Sequence, residues 1–318
     1  MNPESVFETF FEGPPPAEAA TGHGGGIFGQ WILDDEGRPA YAHSHPGPED
    51  QWHLLGNDRI IATAHAEGYV QLYDWSRVGQ VVNRWDPTRG EYAGGFKFLQ
   101  VNGQVFSTLR SRLPEDAAQQ RRFGMGYFEK ETALEGMTIL ERIEAPPGDD
   151  PVLLSQTRLR NGSRIPVTVS LTEFWTTNLH QITVAPLLTH GLDRLVDYHR
   201  RRLKRRFSMF SAWDPEKRLL EMDMTPCRRF CVPNSRRRAF SDWYPKPVFL
   251  VALDPLGDEE DFAVFSDGEA FFGGEGLAHP PGACALADGA LLQDSRARQA
   301  RGILAMRRTF TLECGAEI

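Results

Sequence analysis

Apolar residues in this chain recur at every second position, and that period constrains the fold more than any other feature. In "GMTILERIEAP", Met137, Ile139 and Ile143 fall on one face and Thr138, Leu140 and Arg142 on the other. "GYVQLYDW" sets Val70, Leu72 and Asp74 against Tyr69, Gln71, Tyr73 and Trp75. Alternate side chains of an extended strand point to opposite faces, so the pattern predicts strands with one face on a core. "FKFLQVNGQVFSTL" carries Asn102-Gly103 between two apolar arms, the dipeptide that suits a two-residue hairpin turn.

"PVLLSQTRLRNGSRIPVTVSLTEFW" predicts a second hairpin turn at Asn161-Gly162. Beyond it Ile165, Val167, Val169 and Leu171 share one face, with Pro166, Thr168, Ser170 and Thr172 opposite. Proline cannot donate to a ladder, so Pro166 places this strand near a sheet edge or marks its start. The strand ends on Glu173, Phe174 and Trp175, an acidic and aromatic tip. Further strands follow in "PVFLVALD" and "DFAVFSD".

One segment reads as a helix. In "GLDRLVDYHRRRLKRRF", Leu192, Leu195, Val196, His199 and Leu203 recur at helical spacing, with arginines on the other faces. Many short strands and almost no helix predict stacked antiparallel sheets, and no internal repeat of fixed period suggests a propeller. The fold class is therefore all-β: one large antiparallel β-sandwich over residues 27–318. Residues 1–26, with "EGPPPAEAATGHGGG", read as a Pro- and Gly-rich flexible lead-in. At the other end "ILAMRRTFTLECGAEI" delivers a strand and a Cys-Gly turn and then stops at Ile318. The strand that should follow is missing, which predicts a piece of a longer protein.

Composition removes several function classes. A net charge of −8 argues against a general polyanion binder, so no nucleic-acid partner is expected. The basic run from His199 to Phe207 and the cluster Arg236, Arg237 and Arg238 read as solvated or subunit-facing surface. Four cysteines are too few for a disulfide scaffold of this size, and Cys227 and Cys231 lack a second ligand pair at zinc spacing. No apolar run approaches the ~20 residues that cross a bilayer, and the acidic N-terminus does not resemble a secretion signal. A cytoplasmic protein without a membrane partner is the expectation. Scattered histidines, including His43, His45 and His53, show no ligand spacing, and no metal or cofactor is expected.

Chemistry is harder to read. Nucleophile and zinc motifs such as G-x-S-x-G and H-E-x-x-H are absent. Paired carboxylates cleave glycosidic bonds, but spacing singles out no pair here. Glu173, at a strand end, is open to an acid–base role or a structural hydrogen-bonding one. Seven Trp and twenty Phe suit both cores and flat binding faces.

Taken in order, several segments resemble the N-terminal β-supersandwich domain of glycoside hydrolase family 94. That family holds the inverting cellobiose and chitobiose phosphorylases and the related domains of cyclic β-1,2-glucan synthases. "FGQWILDDEGRPAYAHS" is similar to its opening strand pair, and "WHLLGNDRIIATAHAEGYVQLYDWSR" to its Gly-Asn segment with a glycine-started strand. "RFGMGYFEKETALEGMTILERIEAPPGDDPVLLSQTRLRNGS" follows its G-x-G-Y strand and Asn-Gly-Ser turn. "VTVSLTEFW" resembles its Ser-x-x-Glu-Trp strand end, with Phe174 inserted, and "FAVFSDGEAFFGGEGLAHPPGACALADGALLQDS" its Asp-x-x-x-Phe-x-Gly run.

The resemblance implies a galactose-mutarotase-like supersandwich in front of an (α/α)6 barrel that carries the catalytic Asp and the phosphate site. No barrel sequence lies in this chain, so the expectation is a non-catalytic, carbohydrate-facing module of a β-glucoside phosphorylase or glycosyltransferase-type enzyme. Inorganic phosphate would be a substrate of the complete enzyme. The implied partners are a β-linked gluco-oligosaccharide, the protein's own C-terminal barrel and a second copy in a homodimer. The family's T-N-x-Q-R-like segment near the sugar is matched in "TTNLHQITVAP" by Thr177, Asn178 and Gln181, with Ile182 where Arg is expected. The candidate carbohydrate-binding residues are thus Glu173, Trp175, Asn178, His180 and Gln181, with no catalytic residue among them. Two rival readings stay open: a self-contained mutarotase-like enzyme using Glu and His, and a structural domain for barrel docking and dimerisation.

Overall fold

The structure, a computed structural model, describes residues 30–44, 51–74, 80–177, 207–226, 246–253, 262–284, 297–299 and 301–318. The flexible lead-in expected over residues 1–26 and the helix expected around residues 192–203 lie outside the described residues.

Strands β1 (Gln30–Leu33) and β2 (Pro39–Ser44) come first, then β3 (Trp52–Gly56), β4 (Ile60–His65), β5 (Val70–Asp74) and β6 (Gln80–Val81). The short β7 (Trp85–Asp86) and β8 (Glu91–Tyr92) lead into β9 (Gly94–Val101) and β10 (Gln104–Ser107). A long run follows: β11 (Ala118–Gly124), β12 (Tyr127–Leu134), β13 (Met137–Glu144), β14 (Leu154–Asn161) and β15 (Val167–Thr177). The last group is β16 (Phe207–Asp214), β17 (Leu219–Pro226), β18 (Val248–Val251), β19 (Phe262–Asp267), helix α1 (Gly268–Phe272), β20 (Ala297–Gln299) and β21 (Gly302–Leu312). The fold is all-β and antiparallel. Among the described residues no helix is long and apolar enough to cross a membrane.

A five-stranded sheet, ordered β10-β9-β15-β21-β19, lies at the centre. One of its faces packs against a six-stranded sheet, β1-β2-β11-β12-β13-β14, through Leu99, Val101, Val167 and Val169 meeting Leu134, Met137, Ile139 and Leu159. Further along the same face, Leu304 and Met306 meet Met209, Leu220 and Met222 of the sheet β18-β17-β16-β20. The sheet β3-β4-β5-β6 closes the end of the six-stranded one, setting Leu55, Ala62, Ala64 and Val70 on Phe123, Phe128 and Ile143. The opposite face of the central sheet carries Phe96, Phe98, Phe174 and Phe265, covered by Phe271 and Phe272 of α1. Asp267 caps that helix, its Oδ1 accepting from Glu269 N at 2.8 Å and Ala270 N at 3.2 Å.

Alternation builds these layers as expected along β13, where Met137, Ile139, Glu141 and Ile143 are buried and Thr138, Leu140, Arg142 and Glu144 are half-buried. Asn102 and Gly103 join β9 to β10 with φ of 51° and 84°, the left-handed pair that a tight hairpin needs.

Three local expectations are corrected. Asn161-Gly162 is not a hairpin, because β14 pairs only with β13 in its sheet while β15 sits at the centre of another, between β9 and β21. Asn161 is fully buried and redirects the chain, its Nδ2 donating to Ile165 O at 2.8 Å and Leu312 O at 3.0 Å while Oδ1 accepts from Ser163 N. Ile165 faces solvent, since the strand starts at Val167, after Pro166. Where a strand was expected to be missing after the Cys-Gly turn, the chain pairs back on β14. Gly315, at φ 73°, turns the chain so that Ala316 and Ile318 bond to Asn161 and Leu159 along the free side of β14.

Candidate functional site

The tip of β15 is where the layers change over. Trp175 touches both the cluster under the six-stranded sheet and the cluster under β16–β18, so it stands at the seam between them. The backbone there is irregular. From the pair Glu173↔Lys97 to the pair Trp175↔Gly94, β9 takes one more residue than β15. The extra residue is a bulge in β9, and Gly95 at φ 81° supplies the left-handed conformation that it requires. Ala93 also has a positive φ, 50°, and its carbonyl accepts from both Thr176 N at 2.7 Å and Thr176 Oγ1 at 2.9 Å. The Trp175 ring lies so close to Gly94 that any Cβ there would collide with it. Bulges of this kind re-aim side chains, and here the result is Glu173 beside Trp175.

Two ion pairs sit back to back between the sheets. Lys97 Nζ lies 2.5 Å from Glu173 Oε2 and donates to Ser155 Oγ at 2.8 Å. Trp175 Nε1 donates to the other Glu173 oxygen at 2.9 Å. Deeper in, Lys130 Nζ is 3.1 Å from Glu141 Oε1, with both side chains 1% exposed. The same ammonium donates to Gly68 O at 3.3 Å, to the bulge carbonyl Gly95 O at 3.1 Å and to Thr108 Oγ1 at 3.3 Å. Thr108 ties the pairs together, donating to Glu141 Oε1 at 3.1 Å and accepting from Lys97 N at 2.9 Å. Lys130 thereby joins the β4–β5 turn, β9 and β13 at one atom.

Burial pushes the Glu173 carboxyl up, but the Lys97 ammonium and hydrogen bonds from Lys97, Trp175 and Ser155 outweigh it and hold the group below its ordinary value. Burial pulls the Lys130 ammonium down, against the opposing attraction of Glu141. Glu173 is therefore a carboxylate at neutral pH, with both oxygens engaged. It can accept hydrogen bonds at the seam, where 21% of its side chain is exposed, but it holds no proton to donate as a general acid.

Of the residues singled out in the sequence, the structure brings Glu173 and Trp175 together. Asn178, His180 and Gln181 lie outside the described residues. The sequence reading missed Lys97, Lys130, Glu141, Thr108 and Ser155. A signal for one of them was present: Glu141 interrupts the apolar face of Met137, Ile139 and Ile143 at an inward position. His53 is satisfied inside the protein, its Nε2 lying 2.7 Å from Gly124 O and its ring edge-on to Phe123, and burial lowers its pKa. Among the described residues no group of three or more His, Cys, Asp or Glu could hold a metal ion.

The fold and the site define a layered antiparallel β-sandwich protein with a charged, aromatic-flanked seam. No family model matches the chain, and no curated protein matches it.

Proposed function

We propose that this chain is a carbohydrate-facing β-sandwich module, not catalytic on its own, of a β-glucoside phosphorylase or a related glucan-processing enzyme. The observation that carries the reading is the Lys97–Glu173–Trp175 group: an ionised acceptor held beside an indole at the seam between sheets. Sugars are bound by that combination, carboxylate and amide groups for the hydroxyls and an aromatic ring for the C–H faces. The same group argues against turnover at Glu173, because its proton is already lost to a tight ion pair. Asn178, His180 and Gln181 follow directly in sequence and supply the further donors and acceptors in this reading. The acid and the inorganic phosphate belong to the barrel of the complete enzyme, and the gluco-oligosaccharide and a second copy are its partners.

The test incubates the purified protein with β-linked glucose disaccharides, with and without inorganic phosphate, and follows released sugar and sugar phosphate. The expected result is no turnover, together with oligosaccharide binding that Gln181→Ala weakens. Turnover that tracks the protein and disappears in Glu173→Gln would replace this reading with that of a self-contained enzyme. Binding unchanged in Gln181→Ala would remove the segment after β15 from the site.

A further inference from the structure

The sheet β3-β4-β5-β6 has an inner face in the core and an outer face of a different character. Register pairs Trp52 with His65, Leu54 with Thr63, Thr63 with Gln71 and Ile61 with Tyr73, so these side chains share the outer face. None of them is Asp, Glu, Lys or Arg. Trp52 is 46% exposed and Leu54 67%, on a strand at the sheet's edge.

The exposed indole is braced from behind. Its ring centroid lies 4.4 Å from His65 at 66° and 5.7 Å from Tyr69 at 79°, both edge contacts. His65 and Tyr69 are stacked at 4.7 Å and 14°, and Tyr69 and Trp85 at 4.3 Å and 6°. A side chain already fixed by such a column loses little freedom when a ligand lands on it. Beside it, Gln71 Oε1 accepts from Trp85 N at 2.8 Å, and its Nε2 donates to Tyr73 Oη at 3.2 Å. That arrangement leaves a second amide hydrogen on Gln71 and the phenol hydrogen of Tyr73 to donate to sugar oxygens.

From these features we infer that the outer face of β3–β6, led by Trp52, is a second carbohydrate platform, separate from the β15 seam, that takes a run of neutral gluco-oligosaccharide. The inference rests on the reading that the module faces carbohydrate. Among the described residues this face carries aromatic, amide and phenol groups and no Lys or Arg, which complements an uncharged ligand with both C–H faces and hydroxyls better than a phosphorylated or acidic one. Strands lie ~4.8 Å apart, so the face spans roughly 10 Å from β3 to β5, about two pyranose rings.

The experiment titrates a neutral β-linked glucopentaose into the whole protein by calorimetry, using wild type, Trp52→Ala and Leu54→Ser, with melting and sedimentation on the same samples. The expected result is saturable binding by the wild type and a Kd raised about tenfold or more in Trp52→Ala, with the melting temperature little changed. Leu54→Ser weakens binding less and provides the check if Trp52→Ala does not fold. Wild-type binding that both variants leave unchanged overturns the platform while the carbohydrate reading stands. No wild-type binding overturns both. A dimer that Trp52→Ala dissociates, with sugar binding unaffected, overturns the platform and makes the face an interface between copies.

Discussion

Lys97 and Glu173 face each other across β9 and β15, one pair from the bulge at Gly95, with Nζ 2.5 Å from Oε2. The Lys97 side chain is 1% exposed and that of Glu173 21%. Removing one partner of such a pair strands the other charge away from water. Lys97→Ala therefore costs about 3 kcal/mol, the lower end of the range for broken buried pairs because Glu173 is partly open. A double variant, Lys97→Met with Glu173→Leu, recovers most of that loss. Urea unfolding of Lys97→Met, Glu173→Leu and the double measures the coupling, and additive effects would mean that the two side chains contribute independently.

The same pair sets an acid sensitivity. Glu173 is held below its ordinary value of 4.5, so below that pH the unfolded chain binds more protons than the folded one. Stability from this group is complete above 4.5 and is lost as pH falls through the folded value. Glu173→Gln therefore flattens the decline in melting temperature between about pH 5 and pH 2. Parallel wild-type and variant curves over that window would show that Glu173 is not held ionised.

Gly94 tests the packing of Trp175. A methyl there meets the indole and the Phe174 carbonyl, and the backbone around it is already irregular at Ala93 and Gly95. Gly94→Ala costs about 1–3 kcal/mol by overpacking and shifts the fluorescence of Trp175. The variant Gly94→Ala in a Trp175→Phe background recovers part of the loss.

Much of the fold was legible because strand alternation and Asn-Gly turns are local. β13 and the Asn102-Gly103 hairpin follow from their own residues. Asn161-Gly162 has the same dipeptide but a different outcome, because Asn161 bonds to Leu312, 151 residues away, and the chain passes from one sheet to another. Nothing within the segment announces that distant carbonyl. The site was half legible for the same reason. Glu173 and Trp175 stand out at a strand end, whereas Lys97 and Lys130 acquire meaning only when strand pairing and the stacking of two sheets bring them to Glu173, Glu141 and the Gly95 carbonyl.

A stabilising change is available at the turn between β12 and β13. Glu135 and Gly136 adopt φ of 50° and 74°, the geometry of Asn102-Gly103, with an exposed glutamate where asparagine is better tolerated. Glu135→Asn raises stability by about 0.5–1 kcal/mol, read from the urea midpoint at constant slope. A lower midpoint would mean that the glutamate makes a contact worth more than the strain.

The central claim is that the chain binds neutral β-linked gluco-oligosaccharide without turning it over. Calorimetric titration in phosphate buffer tests both halves at once, because binding gives discrete, saturating heats and turnover gives a sustained heat flow. The account predicts saturating heats that return to baseline after every injection. No heat above dilution would contradict it, and so would a sustained flow that Glu173→Gln abolishes.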